Sequence, residues 1–313
     1  MAQVSSGKLP ESIQTLMTDA PKNKAFEAAR ADGVIDTFLG FPAPRAEQAK
    51  KFDFIRAISN DKETQEMEFP AQYMFKDKPI YEELDDPVSE TLKLMDKHGI
   101  MTMLPGIAEN ESARRACSEY PDRFKGMANV DPNTGMEGIR TLERAVREDG
   151  AIAAHTWGAG LSPQVATNDK KMYPIYAKCV ELNIPIFIYA GVPGPRIPFQ
   201  PQMVEHLDEV CWFFPELKIV TRHGAEPWTA LMCKLLLKWP NLYYSTSAFA
   251  PKHYPQDIIH FANTRGADKI LYAGYYSAGL HLDRIFEELP NVAFRDHVWP
   301  KFLRENAQRV FNI

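Results

Sequence analysis

From about residue 87 onward, short apolar runs alternate with amphipathic stretches in which apolar residues recur at intervals of three and four, and the pattern repeats at roughly thirty residues. The runs predict strands over Ile100 to Leu104, Phe124 to Asn129, Ala151 to His155, Pro185 to Tyr189, Lys218 to His223, Leu242 to Thr246 and Ile270 to Gly274. Val34 to Thr37 brings the count to eight. The stretches between them predict helices over Pro87 to His98, Gly135 to Glu148, Tyr173 to Leu182, Met203 to Phe214 and Trp228 to Trp239. Alternation of strand and helix is the layout of a parallel sheet, and eight such units on one chain predict an α/β fold, a single (β/α)8 TIM barrel. A doubly wound sheet is the other arrangement of such units, but no glycine-rich turn of the GxGxxG or GxxxxGK kind follows any strand.

The barrel is expected over residues 33–313, after a helical or irregular extension over 1–32. The first and second strands are too far apart for an ordinary connection, which marks an insertion from about 45 to 86. Within it Glu66-Met67-Glu68-Phe69-Pro70-Ala71-Gln72-Tyr73-Met74-Phe75 is strongly apolar for a loop. It is expected to cover the barrel mouth or to contact another subunit, most simply in a homodimer. A second loop, Gly191-Val192-Pro193-Gly194-Pro195-Arg196-Ile197-Pro198, follows the fifth strand and is shaped by its prolines. Composition changes this picture little. Lys plus Arg total 36 against 41 Asp plus Glu, a net charge of −5 with both signs dispersed, which points to neither nucleic acid nor an anionic membrane as partner. The four cysteines, Cys117, Cys179, Cys211 and Cys233, form no CxxC pair and read as reduced thiols. With no apolar signal core in Met1 to Asp32 and no run near the roughly 18 residues of a membrane span, a soluble cytoplasmic protein is expected.

Four local motifs carry a resemblance. Gly33-Val34-Ile35-Asp36-Thr37-Phe38-Leu39-Gly40, Pro185-Ile186-Phe187-Ile188-Tyr189-Ala190-Gly191, Arg222-His223-Gly224 and Ala273-Gly274-Tyr275-Tyr276-Ser277 stand at the first, fifth, sixth and eighth strands. Together with the closing Asn306-Ala307 segment they resemble the amidohydrolase-related (amidohydrolase 2) TIM-barrel family. That family holds zinc or another divalent ion with two first-strand histidines, a fifth-strand histidine and an eighth-strand aspartate, an arrangement that makes water nucleophilic near neutral pH. Here Phe38, Gly40, Tyr189 and Tyr275 occupy those places. A tyrosine ligates a metal only as phenolate, against a free pKa of about 10. The expectation is a divergent member without a cofactor. The alternative is one divalent metal such as zinc, held in an unorthodox site by His155, His223 and Asp36.

Working groups of a TIM barrel stand at the C-terminal ends of its strands. There the sequence places Asp36, Asn129 or Asp131, His155, Tyr189, Arg222 with His223, Ser245 with Thr246, and Tyr275 with Tyr276. His223 is the one signature residue retained, and the resemblance implies acid/base or oxyanion-stabilising chemistry for it; an imidazole titrating near ~6.5 suits proton transfer. Strand alternation sends adjacent side chains to opposite faces, so Arg222 and His223 are not both expected to point inward, and Arg222 either clamps a substrate carboxylate or pairs with a helix carboxylate. His155 is either a second acid/base group or a hydrogen-bonded histidine beneath Trp157. Asp36 reads as an internal hydrogen-bonding group or a base. The expected catalytic set is His223, His155, Tyr189 and Tyr275, with Asp36, Phe38, Trp157, Arg222 and Tyr276 binding substrate. Aromatic walls with few polar tips favour a flat organic ligand, or else plug a dead site.

By resemblance the leading expectation is a small-molecule hydrolase working through a histidine without a metal, on an organic acid, lactone, ester or amide. Two alternatives stand beside it: a decarboxylase acting on an aromatic or unsaturated carboxylic acid, and a barrel that binds a ligand without turning it over.

Overall fold

The computed structural model describes residues 23–69, 71–75, 78–108 and 110–313. Of the expected extension over 1–32, helix α1 (Lys24–Ala31) lies among them, opened by Asn23, whose side chain accepts from the Phe26 N–H; residues 1–22 lie outside the described residues. The strands are β1 (Val34–Leu39), β2 (Ile100–Pro105), β3 (Met127–Asn129), β4 (Ala153–Thr156), β5 (Ile186–Tyr189), β6 (Ile219–Arg222), β7 (Leu242–Ser245) and β8 (Ile270–Leu271). All pairings are parallel: β1 with β2, and β3 through β8 in sequence order. Backbone bonds close both seams. Met103 N–H donates to Arg123 O (2.9 Å) and Ile107 N–H to Met127 O (2.9 Å), while Thr37 N–H donates to Tyr272 O (3.1 Å) and Gly40 N–H to Tyr276 O (2.7 Å). The strands therefore run round in a ring, the expected TIM barrel.

Alternation along each strand sends Ile35, Met127, Ala153, Phe187, Val220 and Leu271 into the barrel. The last helix, Asn306–Phe311, closes the end away from the mouth: Ala307, Val310 and Phe311 join this interior cluster, Phe311 stacks on Phe187 at 5.4 Å, and Lys218 at the foot of β6 donates to Val310 O. A second, larger apolar cluster lies between the strands and the surrounding helices. Those helices follow the amphipathic stretches closely: Pro87–His98, with Asp86 as N-cap, a proline in its first turn and Gly99 at φ 72° as its stop, is the clearest.

The insertion is more ordered than a loop. Short helices Arg45–Lys50, Asp53–Ile58 and Lys62–Glu66 succeed one another, and the Arg56 guanidinium ties them together through the carbonyls of Ala49, Met67 and Glu68. Its apolar run divides: Phe69 is buried and Phe75 lies against Tyr275 at 5.7 Å, so this part covers the chain's own barrel, whereas Tyr73 and Met74 stay 50% and 56% exposed. The insertion also docks on the loop after β5, with Arg196 paired to Asp61 (3.1 Å) and Glu63 (2.8 Å) and the Tyr73 hydroxyl donating to Gly194 O. Among the described residues no helix is long and apolar enough to cross a membrane.

Candidate active site

Six half-buried side chains from six positions around the ring meet at the C-terminal ends of the strands: Phe38 from β1, Asn129 from β3, His155 from β4, Tyr189 from β5, His223 just after β6 and Tyr275 after β8. Tyr189 meets the His223 ring edge-on at 4.5 Å, Tyr275 meets it at 5.0 Å, and Phe38 packs on Tyr275 at 4.8 Å. Trp157 flanks Tyr189 at 5.6 Å and is held by its indole N–H, which donates to Gln202 Oε1 (2.6 Å). All four expected catalytic residues are thus brought together, with Phe38 and Trp157 as walls.

Arg222 and His223 both turn toward this mouth, against the expectation from alternation. Arg222 ends β6 in ladder register and points inward, whereas His223 has φ 68°, so the strand stops and its ring is carried over the barrel rather than away from it. Arg222 is withdrawn from the surface. It is 2% exposed, with its guanidinium 4.0 Å from the Phe187 ring and 4.9 Å from the Phe38 ring, donating to Thr37 O (3.0 Å). It is a cation set one layer below the mouth.

That cation sets the electrostatics above it. Burial first, then Arg222, pushes His223 down to about 3, and the same two causes, with His223 as a third, hold His155 well below the usual histidine range. Both shifts favour the neutral ring, in the direction opposite to a histidine charged near neutrality. In His155, Nδ1 lies 2.9 Å from Asn129 Oδ1, which can only accept, so Nδ1 carries the proton and Nε2 accepts from the Tyr189 hydroxyl at 2.9 Å. In His223, Nδ1 lies 2.9 Å from Ser247 Oγ, which also accepts from the His223 backbone N–H. Tyr275 is raised above the ordinary phenol range, by burial first and by Tyr189 second.

Asp36 and Tyr276 lie elsewhere. Asp36 is fully buried in the wall between β1 and the end of β8, where Oδ1 accepts from the N–H groups of Phe38 (3.0 Å) and Gly274 (2.9 Å). Burial lifts it to about 7 despite those bonds and Arg222. Tyr276 is fully buried, with its hydroxyl 2.9 Å from that of Tyr81 in the insertion; Tyr275 before it has φ 61°, which separates the directions of the two rings. Asn129, placed at the end of its strand by the sequence but given no role there, is the partner of His155. Ser247 is the participant the sequence did not indicate; it carries no signal of its own.

Residues 35–313 match the family model described as Amidohydrolase. A curated relative, the gamma-resorcylate decarboxylase of Rhodococcus jostii (strain RHA1), is 29% identical over 197 residues, which span 46% of this chain and 58% of that protein. An uncharacterized TIM-barrel protein from Bordetella bronchiseptica superposes with a TM-score of 0.67 at 21% identity, covering 90% of this chain and 98% of that one. A dihydroxybenzoic acid decarboxylase from Polaromonas sp. JS666, crystallised with bound manganese and the inhibitor 2-nitroresorcinol, gives 0.58 at 20% identity, covering 90% and 97%. The expectation of a cofactor-free site is corrected by that last structure, in which the decarboxylase holds a divalent ion. Among the described residues of this chain, however, no three His, Cys, Asp or Glu side chains gather where they could hold a metal, and Asp36 is turned into the wall; the family's ligand positions do not fit the ion here. The match over residues 35–313 and a barrel closed at both seams make this chain a member of the amidohydrolase family.

Proposed function

We propose that the chain is a carboxy-lyase that removes CO2 from a hydroxylated aromatic carboxylic acid. The hydrolysis expected first from the resemblance gives way to this reading, since the curated relative is a decarboxylase. The observation that carries it is the Arg222 cation buried beneath an aromatic mouth. A carboxylate lying on the outer side of the Phe38 ring would stand roughly 8 Å from that charge, an attraction of about 2 kcal/mol at an effective dielectric near 20. Phe38, Tyr189 and Tyr275 offer faces and edges to a flat ring, and the neutral His223 supplies a hydrogen bond without competing for charge. The test is incubation of the purified chain with 2,6-dihydroxybenzoate, with CO2 release followed against a protein-free control. Turnover is expected. Ester or lactone hydrolysis with no CO2 release would return the chain to the hydrolases, and tight binding of 2-nitroresorcinol with neither reaction would make it a binding barrel.

The exposed apolar side chains around the mouth, Phe54, Tyr73, Met74, Val192 and Phe199, suit contact with a second copy of the chain. Light scattering at low micromolar concentration is expected to give the mass of a dimer; a monomer would leave the insertion as a cover for its own barrel alone.

A further inference from the structure

Three adjacent strands end in three residues that hydrogen-bond in one line. Asn129 and His155 are direct register partners on β3 and β4, and Tyr189 ends β5, the next strand. Asn129 Oδ1 fixes the proton of His155 on Nδ1, and the free Nε2 receives the Tyr189 hydroxyl. A hydroxyl held by a base that is oriented in turn by a third group is the general arrangement of an activated side chain. The line sits at the mouth, with all three residues half-buried and the Tyr189 ring against both His223 and Trp157.

We infer that Tyr189 is the catalytic residue that exchanges a proton with the substrate, with His155 as its partner base and Asn129 as the positioning residue that fixes the tautomer. The inference rests on the carboxy-lyase reading. In that reaction the Tyr189 O–H bond breaks as a C–H bond forms at the ring carbon bearing the carboxylate. The C–C bond to the carboxylate then breaks, its electron pair returns to the ring, and CO2 leaves. The phenolate left on Tyr189 recovers one proton from water, relayed through His155 Nε2, so carboxylate plus proton becomes arene plus CO2. Run on the product alone, the same exchange replaces a ring hydrogen by solvent deuterium.

The experiment compares wild type with Tyr189→Phe, His155→Gln, Asn129→Leu and Asn129→Asp, using CO2 release from 2,6-dihydroxybenzoate and deuterium uptake by resorcinol in D2O. Tyr189→Phe is expected to lose roughly a hundredfold or more in both, with 2-nitroresorcinol affinity within about twofold of wild type. His155→Gln and Asn129→Leu should lower kcat with KM unchanged, and Asn129→Asp, which keeps the acceptor, should recover most of the loss. Exchange at the wild-type rate in Tyr189→Phe overturns the inference. Nitrogen NMR of the full-length wild type gives a readout without turnover: a neutral His155 with the proton on Nδ1, whose Nε2 resonance moves in Tyr189→Phe, is expected, and a proton on Nε2 overturns the relay. If wild type neither releases CO2 nor takes up deuterium, the carboxy-lyase reading is what has failed, and the His155 tautomer alone then decides whether the line of three exists.

Discussion

His223→Asn should lower turnover of an aromatic acid roughly a hundredfold while leaving the chain folded, and it should remove no limb of the pH profile near neutrality. Asparagine suits the position for a conformational reason: His223 has φ 68°, and asparagine is among the few residues with a side chain that adopt the left-handed region readily. Its amide also keeps a polar group within reach of Ser247, so the contact that now spans 2.9 Å has a successor. What is lost is a rigid ring packed between Tyr189 and Tyr275. A hundredfold is the usual scale for a positioned hydrogen-bonding or proton-transferring group, about 2.7 kcal/mol of transition-state stabilisation. The pH argument differs from the one the sequence suggests, because burial beside Arg222 moves the histidine's titration to about 3. Steady-state kinetics from pH 5 to 9 check both parts. Wild-type turnover in the variant would make His223 structural; loss of a limb between pH 6 and 7 would mean that His223 is not held neutral there.

How much of this was legible beforehand follows from which physical rule governs each residue. Short apolar runs recurring between amphipathic stretches located the strands, and Pro87–His98 carried both its start and its stop in the sequence. The ends of the strands were less legible, because they depend on backbone turns rather than on propensity. Extending alternation past Arg222 put it and His223 on opposite faces; the positive φ at His223 ends the strand and carries its ring over the barrel, above the inward-pointing Arg222. The same effect at Tyr275, φ 61°, separates it from Tyr276, which two neighbouring tyrosines in a string of letters do not reveal. Asn129 became meaningful only when parallel register set it beside His155, a relation between residues far apart in the chain. The insertion's short helices, Arg45–Lys50 among them, bury few side chains and so leave no periodic apolar signal to read.

Asp36 gives the second large effect, and it falls on stability. The carboxyl lies fully buried, its Oδ1 pinning the backbone N–H groups that lead to Phe38 and Tyr275, while its Oδ2 and the Tyr272 hydroxyl, both buried, have no hydrogen-bond partner among the described residues. Both atoms crowd Gly274: a Cβ there would stand 2.6 Å from each, which is why this position has no side chain. Burial raises the folded-state pKa from 3.8 to about 7, so between those two values the folded chain holds a proton that the unfolded chain has released. Asp36 therefore contributes stability that is fully present below about pH 4 and is lost as pH rises to about 7. With 1.36 kcal/mol per pKa unit, a shift of about three units corresponds to roughly 4 kcal/mol across that window. Asp36→Asn keeps the Oδ1 acceptor, adds an N–H able to reach Tyr272, and carries no charge at any pH. The variant is expected to match or fall slightly below wild type near pH 4 and to exceed it by a few kcal/mol at pH 8. Urea midpoints at pH 4.5, 6 and 8 measure this directly, and the remaining carboxylates and histidines, common to both proteins, cancel in the difference. A difference that stays constant with pH would mean that Asp36 is ionised throughout, and that the two N–H donors and Arg222 outweigh its burial.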